Sequence, residues 1–117
     1  MRFAFTPEAL AIRDSVRALL SRECAPARVR EAWSNADGRV PGLWGHLAEL
    51  GVPGILAPEE RGGLGLTELE LVLVLEESGR FAMPEPIVET AAVAVPWRWP
   101  RSSSASRGPC WPPRSTT

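Results

Sequence analysis

The sequence changes character abruptly after Val95, and this change decides which part of the chain can fold. From Pro96 to Thr117 there is no Leu, Ile, Val, Asp or Glu, and five Pro, five Ser, four Arg and three Trp occupy most of those 22 residues. Such a segment cannot sustain helical periodicity or bury a core. A packed domain must therefore be built from residues 1–95, a length that suits one small domain.

Two interpretations of residues 96–117 stay open. The chain has Arg but no Lys, which is typical of coding DNA rich in G and C. If Arg98 and Arg101 use CGN codons, the neighbouring frame from Pro96 onwards encodes Ala alternating with Leu, Met or Val, which suits a helix. A frameshift after about Val95 therefore explains the composition of the tail, and a naturally disordered tail is the alternative.

Charge and composition exclude several classes of protein. The net charge of −1 gives no electrostatic footprint for nucleic acid. No stretch approaches the roughly 20 apolar residues of a membrane span, and no basic and then apolar leader opens the chain, so we expect a cytoplasmic protein. Cys24 and Cys110 have no second Cys or His nearby, so neither a metal site nor a disulfide framework is expected.

Apolar residues recur at helical spacing in five segments that Pro and Gly separate. The segments are residues 7–24, residues 27–33, a third after Pro41, a fourth after Thr67 and a fifth from about Pro84 until Pro96 ends it. Thr6 and Pro7 form a helix start, and Thr67 with Glu70 forms a capping box. With no strand between them, these segments predict an all-α domain of orthogonal or bundle-like packing over residues 1–95, followed by an irregular tail over residues 96–117.

The fourth segment is apolar nearly all round between Leu69 and Leu75, which predicts a central, buried helix. Its β-branched residues would also suit a strand, but the capping box and the absence of a partner strand favour a helix. The faces of the fourth and fifth helices exceed what a domain of this size buries alone, so we expect them to meet neighbours.

No residue set points to catalysis. The loop Gly62-Gly63-Leu64-Gly65 lacks the pattern of a phosphate-binding loop and is interpreted as a turn. His46 is interpreted as a surface or half-buried residue, and Cys24 as a packing residue. Helix caps and solvated faces account for the clustered carboxylates, which are Glu59, Glu60, Glu68, Glu70, Glu76 and Glu77.

Four motifs follow one another along residues 1–95. In order they are Phe3-x-Phe5-Thr6-x-Glu8, Trp44-x-x-Leu47-Ala48-Glu49-Leu50-Gly51, Pro58-Glu59-Glu60-Arg61-Gly62-Gly63-Leu64-Gly65-Leu66 and Glu76-Glu77-Ser78-Gly79-Arg80. This succession resembles the N-terminal helical domain of the acyl-CoA dehydrogenase family, and the segment from Pro84 to Ala91 is similar to bacterial members. One departure is Arg61, where the family more often has an aromatic residue.

The resemblance implies the front part of a flavoprotein of three domains that oxidises the Cα–Cβ bond of acyl-CoA thioesters. In that family a glutamate removes the Cα proton, FAD takes the hydride, and an electron-transferring flavoprotein receives the electrons. The FAD-binding motifs and the catalytic glutamate correspond to nothing in this chain. The resemblance therefore assigns the chain no catalytic, metal-binding or cofactor-binding residue, and we expect it to bind no FAD and to be inactive alone.

The resemblance also implies a substrate-binding set, Thr90, Val93 and Ala94, which would line the acyl pocket of a full-length relative. A stripe in a helix–helix core is the alternative role for these residues. At the level of the whole chain, the alternative function is a non-catalytic helical interaction module or a companion subunit of a heteromeric dehydrogenase. A homo- or hetero-oligomer is expected in either case.

Overall fold

The structure, a computed structural model, describes residues 4–98 of the chain. Within them the helices are α1 (Pro7–Glu23), α2 (Pro26–Ala32), α3 (Leu43–Glu49), α4 (Glu68–Arg80) and α5 (Val95–Arg98). No strand occurs in this part of the chain, so the predicted all-α fold is confirmed. None of the described helices is long and apolar enough to cross a membrane.

The helix starts form as their sequence signals predict. The Thr6 hydroxyl oxygen accepts a hydrogen bond from the backbone N–H of Ala9 at 3.2 Å, and Pro7 opens α1. At α4 the Thr67 hydroxyl oxygen accepts from the N–H of Leu69, and the Glu70 carboxylate accepts from the N–H of Thr67 at 2.8 Å. Both caps satisfy backbone donors that a helix start would otherwise leave free.

The core lies between α1, α4 and the segments that cross them. Helix α1 packs along α4, and α3 packs on α1 and on a 3₁₀ turn at Val52–Gly54. The most deeply buried apolar side chains come from all of these elements: Val16, Leu20, Leu43, Leu47, Val52, Ile55 and Val74. One apolar centre therefore joins residues from Val16 to Ala91 into a single unit.

Helix α4 is less buried than its composition predicts. Leu71, Leu73 and Val74 are in the core, but Leu69 is 65% exposed and Val72 is 54% exposed. The prediction of a central, buried helix holds for one side of α4 only, because α1 and the last part of the chain leave the other side open. Two apolar residues one helical turn apart are left facing outward.

The last helix, residues 88–98, is wider than an α-helix in its first half. Val88–Ala94 is π-helical, and the N–H of Val95 donates to the carbonyl of Thr90, five residues earlier. The helix then continues as α5 to Arg98, so the predicted end at Pro96 is wrong. Pro96 lies just after the change from π-helical to α-helical bonding and donates no backbone N–H. The rest of the predicted tail, residues 99–117, lies outside the described residues.

Candidate functional site

The three predicted pocket residues lie on the outward side of the last helix. Ile87 and Ala91 turn into the core and are 3% and 0% exposed. Thr90 is half-buried, whereas Val93 is 61% exposed and Ala94 is exposed as well. Val93 and Ala94 are therefore open to solvent, and Thr90 is partly covered. Val93 and Ala94 are thus outside the core that residues 4–98 form.

This face offers mainly hydrocarbon to whatever contacts it. The Thr90 hydroxyl donates a hydrogen bond to the carbonyl of Pro86 at 2.7 Å, and the Thr90 N–H donates to the same carbonyl at 3.2 Å. A Thr hydroxyl used in this way is already satisfied within its own helix. Beside it, Val93 and Ala94 have only apolar side chains. The face can therefore pack on an apolar group without leaving a buried polar atom unpaired.

The glycine-rich loop is a closed turn. Each backbone N–H from Gly62 to Leu66 donates to a carbonyl of the same region, and the acceptors in order are Glu59, Pro58, Gly54, Ala57 and Ile55. A phosphate cradle needs such N–H groups free and aimed at one point. The turn interpretation is confirmed, and the loop does not fit the pyrophosphate of a flavin cofactor.

The loop is built against its own neighbours, and this explains one glycine. A Cβ at Gly63 would overlap the carbonyl oxygen and the side chain of Ala57. The N–H groups of Leu64 and Leu66 donate to the carbonyls of Gly54 and Ile55, and these bonds fix the loop on the 3₁₀ turn at Val52–Gly54. That turn contacts Val88–Ala94, so the glycine-rich loop is tied through it to the last helix.

His46 and Cys24 form no reactive pair. The His46 ring is half-exposed, with Nδ1 3.9 Å from a carboxylate oxygen of Glu23. Cys24 is buried, and burial raises the pKa of its thiol. A raised pKa lowers the thiolate fraction, so the thiol is less reactive, as expected for a packing residue. In residues 4–98 no three His, Cys, Asp or Glu side chains are grouped to hold a metal ion.

Two buried carboxylates, each paired with a half-exposed arginine, were missed by the sequence interpretation. The Glu77 carboxylate, 1% exposed, accepts two bonds from Arg17, Nη2 to Oε1 at 2.6 Å and Nε to Oε2 at 3.1 Å, and Arg80 lies 3.4 Å away. The hydrogen bond from Arg17 holds the pKa of Glu77 below its usual value. The placement of Glu77 on a solvated face is therefore wrong. The second pair joins Arg39 to Glu85, whose side chain is also 1% exposed.

A sequence signal for one of these pairs existed. Glu77 follows Leu73 and Val74 by four and three residues, so it falls on the buried stripe of α4. A carboxylate at such a position requires a buried partner, which Arg17 supplies from α1. Glu85 stands between Pro84 and Pro86 in a connection, where no periodicity marks burial.

A separate groove of about 570 Å³ lies between α1, α2 and the end of α4. Apolar groups dominate it, and its rim carries two guanidinium groups. Its lining residues include Cys24, Val29, Arg30, Trp33, Arg80 and Phe81. No lining residue belongs to the last helix, so this groove is distinct from the face of Thr90.

Comparison with known proteins shows which family the chain belongs to. Residues 6–97 match the family model described as acyl-CoA dehydrogenase, N-terminal domain. The chain is 34% identical over 85 residues to the acyl-CoA dehydrogenase IpdE2 of Mycolicibacterium smegmatis, which covers 72% of this chain and 27% of the relative. It is 41% identical over 69 residues to mitochondrial isovaleryl-CoA dehydrogenase of Bos taurus, covering 59% and 16%.

A third relative is covered to an extent similar to the M. smegmatis protein. The IpdE2 protein of Mycobacterium tuberculosis is 34% identical over 80 residues, which are 68% of this chain and 25% of the relative. The matched residues thus span about a quarter of the length of the two IpdE2 proteins and 16% of the bovine enzyme. No solved structure matches the chain.

Proposed function

Because the chain belongs to the acyl-CoA dehydrogenase family, through that family's N-terminal domain, we propose that it is the N-terminal part of a flavin-dependent acyl-CoA dehydrogenase. The parent enzyme oxidises the Cα–Cβ bond of an acyl-CoA thioester and passes electrons to an electron-transferring flavoprotein. FAD supplies hydride-accepting chemistry in that parent. The contribution of residues 4–98 is structural: they form part of the wall of the acyl pocket and an interface to the remaining domains.

One observation carries the assignment of the wall. The last helix turns Ile87 and Ala91 inward and presents Thr90, Val93 and Ala94 outward, with the Thr90 hydroxyl already bonded to Pro86. This face matches the needs of an alkyl chain, which gains from apolar contact and has no hydrogen-bond partners to offer. The size of its side chains then sets which acyl chains fit, at ~1–3 kcal/mol per methylene.

The chain by itself is proposed to be inactive and free of FAD. The N–H groups of the glycine-rich loop from Gly62 to Leu66 are all used within the loop region, which supports this proposal. Mixing the purified chain with FAD should leave the flavin absorbance band unchanged in shape. A shifted or structured band would overturn the proposal that the flavin site lies elsewhere in the parent.

The outward apolar residues of α4 support a role in assembly. Leu69 and Val72 are more than half exposed on a helix whose other side is packed in the core. We assign them to the interface with other domains or subunits of the parent, which is proposed to be an oligomer. We also propose a cytoplasmic location for the chain.

The same exposed face favours a second function. As a non-catalytic interaction module or companion subunit of a heteromeric dehydrogenase, the chain would use Leu69 and Val72 to bind another polypeptide. Gel filtration of the chain with the product of the downstream gene separates the two functions. Co-elution supports a companion subunit, and separate elution counts against it.

A domain exchange tests the acyl wall directly. Residues 6–97 replace the corresponding domain of the bovine isovaleryl-CoA dehydrogenase, and dye reduction is measured with acyl-CoA substrates of increasing chain length. Val93→Ala should raise kcat/KM for the longer substrates relative to the shorter ones by about tenfold, because a removed side chain makes room for methylenes.

The matched control for this exchange is Val72→Ala, which removes the same atoms from a similarly exposed valine on α4. It should leave the chain-length preference unchanged. The same preference for acyl chain length in the unsubstituted chimera and in the Val93→Ala chimera would contradict the assignment of Val93 to the pocket.

A further inference from the structure

The connection between α4 and the last helix contains a buried carboxylate held by a distant arginine. Arg39 donates two hydrogen bonds to one oxygen of Glu85, Oε2. They come from Nε at 2.7 Å and from Nη2 at 2.5 Å. The two residues are 46 positions apart in sequence. The pair therefore links this connection to the loop between α2 and α3, which is distant in sequence.

Arg39 is itself held in place before it meets Glu85. Its N–H donates to Asp37 Oδ1 at 3.1 Å, and its carbonyl accepts from Asn35 Nδ2 at 3.0 Å. Its guanidinium carbon lies 5.5 Å from the centre of the Trp44 ring, within cation–π range. The guanidinium is thus oriented by the turn before it and by α3 after it, and it can orient a partner in turn.

Backbone hydrogen bonds connect Glu85 to the first residues of the last helix. Its carbonyl accepts from the N–H of Ile87 at 2.8 Å, and the next carbonyl, that of Pro86, accepts both the N–H and the hydroxyl of Thr90. Earlier in the connection Ala82 takes a positive φ of 50°, an unfavourable value for a residue with a Cβ. The Glu85 carboxylate therefore lies in the segment that leads directly into the last helix and sets its direction.

The geometry of the pair is poor for stability alone. Both donors go to Oε2, and the buried Oε1 has no hydrogen-bond partner among the described residues. Glu77, by contrast, uses both oxygens in its bond to Arg17. A buried carboxylate oxygen without a partner costs free energy, and the Arg39 side chain, 40% exposed, contributes an attraction that solvent screens. We therefore look for the role of the Arg39–Glu85 pair in the position that it gives to the last helix.

We propose that Arg39 and Glu85 are a positioning pair, which fixes the start and the rotation of the last helix and so the direction of Thr90, Val93 and Ala94. The positioning of the helix stands on the contacts of the pair. Its consequence for acyl substrates rests on the proposed function of that face.

Hydrogen exchange of the full 117-residue chain tests the positioning. In the double variant Arg39→Met with Glu85→Met both charges are removed together, which avoids an uncompensated buried carboxylate. We expect amide exchange in residues 87–98 to accelerate by about tenfold or more, while α1 keeps its protection, because only the local opening becomes easier. A folded double variant with unchanged exchange in residues 87–98 would overturn the proposal.

The matched control is Arg17→Met with Glu77→Met, which removes the other buried pair. Its effect should fall on α1 and α4 and leave residues 87–98 with their original relative protection. If the Arg39 and Glu85 double variant does not fold, Arg39→Lys replaces it, since it keeps the charge but loses the planar guanidinium over Trp44. Acceleration by the lysine variant in α1 as much as in residues 87–98 would show a merely structural pair.

The same double variant in the domain exchange separates the two proposals. Faster exchange in residues 87–98 together with altered preference for acyl chain length supports both the positioning and the acyl wall. Faster exchange with unchanged preference keeps the positioning and rejects the role of the face in substrate binding.

Discussion

The interface between α1 and α4 and the outward face of the last helix contain similar residues but differ in how far those residues are buried and paired. Between α1 and α4 the Glu77 carboxylate uses both oxygens, and apolar residues such as Leu20 and Val74 are enclosed. At the last helix the Glu85 carboxylate leaves one oxygen without a partner, and Val93 is open to solvent. The first region is complete within the described residues, whereas the second presents apolar surface that an isolated domain does not need.

The strongest test of this contrast changes a side chain in the enclosed region. Leu20→Ala removes a fully buried side chain and should lower the free energy of unfolding by about 2–5 kcal/mol. Leu69→Ala removes the same atoms from an exposed position and should change it by less than about 0.5 kcal/mol. Urea titration followed by tryptophan fluorescence measures both. Equal losses in the two variants would contradict the assignment of inside and outside.

A smaller effect is expected from pH at the Arg17–Glu77 pair. The pKa of Glu77 is lowered in the folded chain, so the folded state favours the ionised carboxylate. The stability from this pair is fully present above the unfolded pKa, roughly 4.3, and is lost as the pH falls through the lower folded pKa. Glu77→Gln should flatten the acid limb of stability against pH. Glu76→Gln, an exposed neighbour on α4, is the control and should leave that limb unchanged.

The smallest effect on stability concerns the outward side of α4. Leu69→Gln combined with Val72→Gln should reduce binding of a hydrophobic dye and change the melting temperature little, because both side chains are already in water. The unmodified chain should bind the dye and melt with low cooperativity. A sharp transition at high temperature without dye binding would contradict the view that these faces await neighbours.

Sequence patterns predicted the parts of the fold that local chemistry controls. The caps at Thr6 and Thr67 and the turn at Gly62–Gly65 depend on neighbouring residues, so their signals lie in short motifs. The exposure of Val72 was not predicted, because a composition that is apolar all round does not tell which side a partner helix covers. The predicted end of the last helix was wrong for a different reason, since no sequence signal indicated the π-helical turns of Val88–Ala94 that precede Pro96.

The candidate site was only partly accessible to sequence reasoning. Thr90, Val93 and Ala94 came from resemblance to the family, and the spacing alone left a core stripe equally open. The Arg39–Glu85 pair joins residues far apart in sequence and follows no periodicity, so only the three-dimensional structure reveals it. Long-range pairs of this kind depend on how the connections cross, which local propensity does not encode.

The coding DNA beyond the codon for Val95 gives the most direct test of the central claim, that these helices form the front of a larger flavoenzyme. The account predicts that a read of about a kilobase reveals a neighbouring frame encoding the rest of an acyl-CoA dehydrogenase, with its flavin-binding region and catalytic glutamate. An uninterrupted frame followed only by unrelated genes would contradict it.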